Sequence, residues 1–437
     1  MIERLWIGHR SGLLLGILVL WCAGANAAFA QTQADFFDDT VLQEVRIVIS
    51  SRDWQTLKAH PEENTYYPAD LTWSGVTVRN IGIRSRGGAT RNGIKPGLRV
   101  DINRYISNQE FLGLKAFSLD NMYSDSSLVR ESVTMKMFEK MKLPASREAH
   151  ARVYVNNEYA GAYVIIEAID RTFVGRMFGA EEANVESGGY LFEYQWTSPY
   201  YLEYLGPGLE AYAALFKPQT RDTDSIVNIY APIEEMIRTI NGVRDEDFAA
   251  AVSSYLDLDV FMKYIAIDSF LADYDGFLGF YGVNNFYFYR FENTTRSTFI
   301  AWDKSEAFKG GPAFGIWHNI TDVAPWYRNR LMDRAVRNLD LRDVYLDALL
   351  KCAEIASSPA SAEDFAGPGL GRRSLQSESG WLEEEIVREY QQIRSAALED
   401  PFKPYTNEQF EASIQRLLAF ARARSQFVHA EVMRERR

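Results

Sequence analysis

Cysteine is nearly missing from this chain. Two occur in 437 residues, Cys22 and Cys352, and Cys22 sits in an apolar N-terminal run that reads as a removable leader. A single cysteine then remains, which excludes an intrachain disulfide. Its neighbours, "YLDALLKCAEIA", have helical apolar periodicity, so Cys352 reads as a small buried hydrophobe. Histidine is also scarce, with five scattered residues, and no zinc-type His/Cys spacing can be drawn. No G-x-S-x-G nucleophile elbow and no GxxxxGK[ST] phosphate loop occur. The formal net charge of −12 argues against wrapping nucleic acid or an anionic membrane surface. Disorder is excluded by a hydrophobic share of 47% with 14% aromatics.

Only one long hydrophobic run is present, "SGLLLGILVLWCAGA", preceded by Arg4 and Arg10 and followed by "AFAQTQ". It is short for a membrane span of about 20 residues. A basic start, a short apolar core and Ala28-x-Ala30 predict a cleavable secretory leader over residues 1–30. Trp21 ahead of Cys22 is too bulky for a lipoprotein processing site. The expected product is secreted or periplasmic, starts near Gln31, and makes no stable membrane insertion after cleavage.

What is present divides by texture. Residues 31–195 carry alternating strands such as "VLQEVRIVIS", "GLRVDIN", "ARVYV" and "AYVIIEAI", with one helix predicted over 125–142. Asp125 or Ser126 would cap that helix. Val129, Val133, Met137 and Met141 would form its apolar face. Asn156-Asn157 marks a hairpin turn, since asparagine tolerates the left-handed conformation. In 196–437 helices dominate from about 225, broken by a hairpin at 284–303. Segment 357–380 is Gly/Pro/Ser-rich and reads as a loop. The fold class is α+β, a strand-rich part followed by a helical one.

Four polar clusters stand out. "RSRGGATRNGIKPGLRV" places Arg84 and Arg86 before two glycines, then Lys95 and Arg99. Such cations around a glycine turn suit a polyphosphate, and equally a solvated surface hairpin. Glu167 ends an apolar strand. If buried it needs a partner, with Lys95 one candidate and Glu131 a rival for that lysine. "IDSFLADYDGFLGFYGVNN" carries Asp268, Asp273, Asp275 and Asn285, and "FIAWDKSEAF" puts Asp303 after an apolar strand. An Asp after a helix, an Asn further on and an Asp after the next strand match a phosphoryl-transfer arrangement, in which one Asp orients the attacking hydroxyl while Asn and Asp hold magnesium. Hydrogen-bonded turns are the plain alternative.

These patterns together resemble the CotH family of atypical protein kinases. "GIRSRGGATR", "KPGLRVDI", "FSLDNMYSDSSLVRESVTMKMF", "ARVYVNNEYAGAYVIIEAID", "ADYDG…NNFYFY" and "FIAWDKSEAF" follow its order across residues 40 to 310, and "AFARARSQFV" resembles its closing Arg-containing helix. The resemblance implies a divergent two-lobed kinase-like fold that binds ATP and Mg²⁺ and phosphorylates Ser/Thr of secreted or coat proteins. Carried over, Lys95 or Arg99 contacts phosphates with Arg86 nearby, and Glu167 or Glu131 pairs the lysine. Asp275 is the catalytic carboxylate, and Asn285 and Asp303 are the metal ligands. Some positions depart from the family. Ser305 stands where its second Asp belongs, Asp273 takes an Asn position, Pro96 replaces a residue often basic, and "FLGFYG" looks inserted between Asp275 and Asn285. The resemblance therefore also admits a pseudokinase serving as a surface scaffold.

Overall fold

The computed structural model describes residues 31–361 and 379–437. The expected leader and most of the 357–380 segment lie outside the described residues. Strands β1 (Gln43–Ile49), β2 (Tyr67–Trp73), β3 (Val76–Arg86), β4 (Gly97–Asp101), β5 (Ala116–Asp120), β6 (Glu148–Val155) and β7 (Glu158–Glu167) close a barrel in the order β1-β2-β3-β4-β5-β7-β6. Every neighbouring pair is antiparallel except β1 with β6. Strand alternation sends Ile81, Ile83, Leu98, Val100, Phe117 and Leu119 inward. Phe36 enters the same core, its ring edge-on to Trp73, Phe111 and Phe117 at 5.3, 5.0 and 5.0 Å. It belongs to the short helix α1 (Gln33–Phe36), and α2 (Ser51–Ala59) follows β1.

On the outside of the barrel lies α3 (Arg130–Lys140). Its apolar face, Val129, Val133, Met137 and Met141, is buried as expected, in one cluster with Ala162, Val164 and Ile166 of β7. The helix begins five residues later than the sequence suggested. Asp125 still serves its start, accepting the Arg130 N–H at 2.8 Å across an extra turn. Asn156 and Asn157 take the positive φ angles of 52° and 68° foreseen for the β6–β7 turn.

After α4 (Arg171–Phe178), a four-stranded sheet of order β11-β10-β8-β9 joins β8 (Tyr190–Tyr194), β9 (Phe216–Pro218), β10 (Phe286–Arg290) and β11 (Ser297–Ala301). The remaining helices are α5 (Leu209–Ala213), α6 (Ile226–Gly242), α7 (Phe248–Val252), α8 (Leu258–Phe270), α9 (Arg330–Ala335), α10 (Leu339–Ser357), α11 (Trp381–Glu399) and α12 (Asn407–Glu435). The near-continuous apolar sequence of α8 fits its position, since it is buried almost all round. Cys352 is buried in α10 as expected. The architecture is α+β, with a barrel and a helical body sharing one core through α3. Among the described residues no helix is long and apolar enough to cross a membrane.

Candidate active site

The 284–303 hairpin explains why two poor strand formers sit at its ends. Phe286 pairs with Ala301 as the last rung of the β10–β11 ladder. Asn285 and Asp303 lie just beyond that rung with φ of 55° and 44°. Asn and Asp tolerate this left-handed region better than other side chains. The Trp302 N–H donates to the Asn285 carbonyl at 3.3 Å, so the two turns are tied together.

Asp275 joins them from the loop after α8. The Asn285 amide nitrogen donates to the Asp275 carbonyl at 2.9 Å and to its Oδ2 at 3.2 Å. Asn284 donates to both carboxylate oxygens at 3.1 and 3.2 Å. Two structural aspartates support the loop. Lys304, fully buried, pairs with Asp268 at 2.9 Å and Asp273 at 3.1 Å. Asp273 in turn accepts the Asp275 N–H at 3.1 Å. The residue next to Asp303 thus anchors the loop that carries Asp275. A side chain at Gly276 would place its Cβ 2.5 Å from Asp273 Oδ2 and 2.6 Å from Asp268 Oδ2, so only glycine fits. Arg424, also fully buried, donates to the carbonyls of Ser269 and Phe270 at 2.7 Å each and to that of Phe314 at 2.6 Å. It satisfies the C-terminal end of α8, where that loop begins.

The barrel and α3 bring further charge to this place. Arg86, at the end of β3, pairs with Asp120 at the end of β5 at 3.2 Å and lies over the Trp302 ring at 5.3 Å. Glu131 of α3 accepts the Lys304 N–H at 3.3 Å. Carboxylates outnumber cations here. Burial pushes Asp303 up to about 6, with Asp120 and Asp275 adding to the rise and Arg86 opposing it. Burial also holds Glu131 well above the usual carboxylate range, helped by Glu148, Asp303 and Asp120. Asp275 is raised by burial against the pull of Asn284. Such a group is short of positive charge, which fits a hard divalent cation served by a few carboxylates and an amide oxygen. With its nitrogen committed to Asp275, Asn285 has Oδ1 as the atom it could offer such a cation. Ser305 Oγ donates to Asp303 Oδ1 at 2.9 Å and leaves Oδ2 as the second.

The CotH kinase protein family matches residues 83–356 of this chain, a stretch that runs from β3 to α10 and contains each of these groups except Arg424. The chain belongs to the CotH family. It is similar to the inner spore coat protein H of Bacillus subtilis (strain 168), with 24% identity over 392 residues, covering 88% of this chain and 95% of that protein.

Within this CotH chain the structure gathers Asp275, Asn285, Asp303 and Arg86 at one place. Two expected partnerships need correction. Lys95 pairs with neither Glu167 nor Glu131. Its Nζ bonds Asp400 Oδ2 at 2.7 Å and the Ala162 carbonyl at 2.6 Å, with 2% of the side chain exposed. Glu167 is buried between Arg147 at 2.6 Å and Arg176 at 2.5 Å. Both are fold-holding ion pairs. Sequence spacing missed Asp400 because it lies 305 residues from Lys95. Lys95 and Arg99 also point to different places. Lys95 precedes β4 and packs over the Tyr163 ring of the barrel core at 4.9 Å, whereas Arg99 alternates outward with Arg84, its cross-strand partner. Arg99 faces the second sheet, where its charge bears on Asp170 and Tyr287.

Asp120 and Asn284 were not singled out from the sequence. Asp120 had a visible signal: "FSLD" ends an apolar strand in an aspartate, just as "FIAWD" does.

Proposed function

We propose that this CotH-family chain is an exported phosphotransferase that moves the γ-phosphate of ATP, with Mg²⁺, to Ser/Thr hydroxyls of secreted or surface proteins. The observation that carries this is the convergence of Asp275, Asn285 and Asp303 beside Arg86 in a carboxylate-rich cluster. Asn285 Oδ1 and Asp303 Oδ2 would hold the metal, which supplies charge neutralisation on the phosphates. Arg86, already freed from bulk water by Trp302, can turn from Asp120 to a phosphate and donate in bidentate fashion. Arg99, farther along the outward face, would add positive field rather than direct contact.

Asp275 would accept the proton of the acceptor hydroxyl, and Asn284 and Asn285 hold its carboxylate in position. Its raised pKa improves it as a base. Export rests on the N-terminal leader pattern, and the spore-coat name of the Bacillus subtilis relative agrees with a surface location.

One observation favours a second reading. Ser305 stands where the family has a second metal-binding Asp, and its hydroxyl occupies Asp303 Oδ1. A nucleotide-binding scaffold without turnover would follow from that loss. Calorimetry of ATP with and without Mg²⁺, run beside a phosphoryl-transfer assay on a Ser/Thr protein mixture, separates the readings. Turnover requires Mg²⁺-dependent ATP binding, loss of transfer in Asp275→Asn with ATP–Mg²⁺ binding kept, and binding weakened about ten- to a hundredfold in Arg86→Met. Mg²⁺-dependent binding without transfer selects the scaffold. No nucleotide binding under either condition ends both.

A further inference from the structure

The segment "FLGFYG", residues 277–282, departs from the family between Asp275 and Asn285. Phe277 and Leu278 are buried, whereas Phe280 is exposed and Tyr281 is 62% exposed. The segment lies directly against Asp275. A Cβ on Gly279 would come within 3.0 Å of the Asp275 Cα, and the Phe280 N–H donates to the Tyr274 carbonyl at 3.1 Å. Further rings extend this surface. Trp196 donates its Nε1–H to the Tyr281 carbonyl at 3.0 Å. The Val283 N–H donates to the Tyr200 carbonyl at 2.8 Å, and the adjacent Tyr201 ring meets that of Tyr327 at 6.0 Å. Trp326, 66% exposed, continues from Tyr327 at 6.0 Å. An exposed aromatic patch of this kind marks an interaction surface, and this one begins at Asp275.

Three features say what the surface fits. The charged side chains beside it are already engaged: Arg328 with Asp333 at 3.2 Å, Arg330 with the Pro325 carbonyl at 3.2 Å, Asp322 with the Asn319 N–H at 2.7 Å and Glu203 with the Tyr201 N–H at 2.7 Å. Charge complementarity therefore selects a partner that is uncharged here. The Tyr281 and Tyr327 hydroxyls and the Trp326 indole N–H have no hydrogen-bond partner among the described residues, so the ring edges offer donors. The rings are also tilted, by 66° between Tyr201 and Tyr327 and by 60° between Trp326 and Tyr327, which makes slots rather than a flat platform. A polyproline II segment answers all three. Its carbonyls are free of internal hydrogen bonds, its pyrrolidine rings are uncharged and compact, and it loses little entropy on docking. We propose that this surface docks an extended, proline-containing stretch of the acceptor polypeptide, next to the Ser or Thr presented to Asp275. The acceptor role rests on the phosphotransferase reading, whereas the docking itself does not.

Calorimetry on the whole secreted protein tests this with three probes: a capped peptide with a central serine flanked by prolines, the same peptide with glycines, and cellohexaose. The proline peptide should bind at least about tenfold more tightly than the glycine peptide. Trp326→Ala and Tyr281→Ala remove exposed side chains, so both variants should melt like wild type and keep the wild-type affinity for ATP. Each should weaken the proline peptide about tenfold. The assignment is overturned if the proline peptide does not bind, if the two peptides bind equally, or if binding is unchanged in the double variant. Cellohexaose bound in place of the proline peptide also overturns it, in favour of a carbohydrate surface. Phosphoryl transfer is followed in parallel with Mg²⁺–ATP. Trp326→Ala should raise KM for the proline peptide about tenfold with kcat little changed, and equal KM values for the two peptides in the wild type overturn the acceptor role. A proline peptide that binds through these rings but is never phosphorylated ends the phosphotransferase reading and leaves the docking assignment standing.

Discussion

The ammonium of Lys95 lies 2.7 Å from Asp400 Oδ2, and both side chains are almost wholly closed off from solvent. The contact pins the turn after α11 onto the barrel. Asp400 does more than neutralise the lysine, since it also accepts N–H groups from Ala162 at 3.0 Å, Phe402 at 2.9 Å and Lys403 at 3.1 Å. Burial holds the Lys95 pKa below its usual value even with Asp400 beside it. The ion pair therefore contributes less than its geometry suggests.

A ranking of variants follows from that inventory. Asp400→Ala strands a buried ammonium and several N–H donors, and should cost about 3–5 kcal/mol. Lys95→Met leaves a carboxylate still served by three N–H groups and should cost less, on the order of 1–3 kcal/mol. Urea denaturation of both variants gives the order. A Lys95→Met protein that keeps wild-type stability but loses ATP affinity would return this lysine to the nucleotide.

Arg424 offers a test of how the Asp275 loop is held. Its guanidinium is the largest fully buried side chain of the fold and bonds only to carbonyls. Burial lowers its pKa to about 10. Arg424→Met fills the space but removes the Arg424 donor from the Phe270 carbonyl and one of the donors from that of Ser269, which keeps the Ala272 N–H at 3.2 Å. A loss of about 2–4 kcal/mol is expected in thermal or urea melts. Hydrogen exchange should rise first in the 269–276 loop, ahead of the barrel strands.

The parts legible in the sequence were those set by local pattern. Strand alternation, the apolar face of α3 and the Asn-Asn turn depend on near neighbours, and they appear as expected. The hairpin ends were legible too, because Asn285 and Asp303 break the strand pattern at matched places. Long-range pairing was not legible. Glu167 and Lys95 each called for a partner, but a sequence cannot say which distant charge the chain brings back. Arg147, Arg176 and Asp400 filled those places. Asp268 and Asp273 looked as eligible for chemistry as Asp275, and only the depth of Lys304 separates them. Their carboxylates are spent on a buried ammonium.

His150 and Glu389 form a buried pair, Nδ1 to Oε2 at 2.8 Å, that joins β6 to α11. Burial opposes protonation of His150, but Glu389 outweighs it and the pKa ends above the ordinary 6.5. For Glu389, burial is outweighed by Arg388 and His150, and the pKa falls from 4.5 to about 2. A raised histidine contributes stability that is full below 6.5 and lost as pH rises through its folded value. A lowered carboxylate contributes above 4.5 and loses it as pH falls toward 2. The pair is therefore strongest between those limits. His150→Gln should cost more at pH 5.5 than at pH 8.5, as measured by urea midpoints at the two pH values. Equal costs would mean that the imidazole stays neutral in the fold.

The last prediction concerns Asp303, whose pKa is raised to about 6 from 3.8. The fold favours its protonated form. That contribution is full below 3.8 and lost as pH rises through 6, so at neutral pH the ionised side chain is a destabilising group. Asp303→Asn keeps the shape and removes the charge. In the absence of metal it should leave stability unchanged near pH 4 and raise it by on the order of 1–2 kcal/mol at pH 8, allowing for partial solvent screening. With saturating ATP and Mg²⁺ the order should reverse. The wild type gains about 2.7 kcal/mol at a hundredfold excess over Kd, and the variant gains little because it has lost the main protein charge on the metal. If Asp303 merely capped a turn, the substitution would instead cost about 1 kcal/mol at every pH, with no response to Mg²⁺. Thermal melts of both proteins at pH 4 and 8, with and without Mg²⁺–ATP, distinguish a charge awaiting a cation from a turn residue by the sign of one difference.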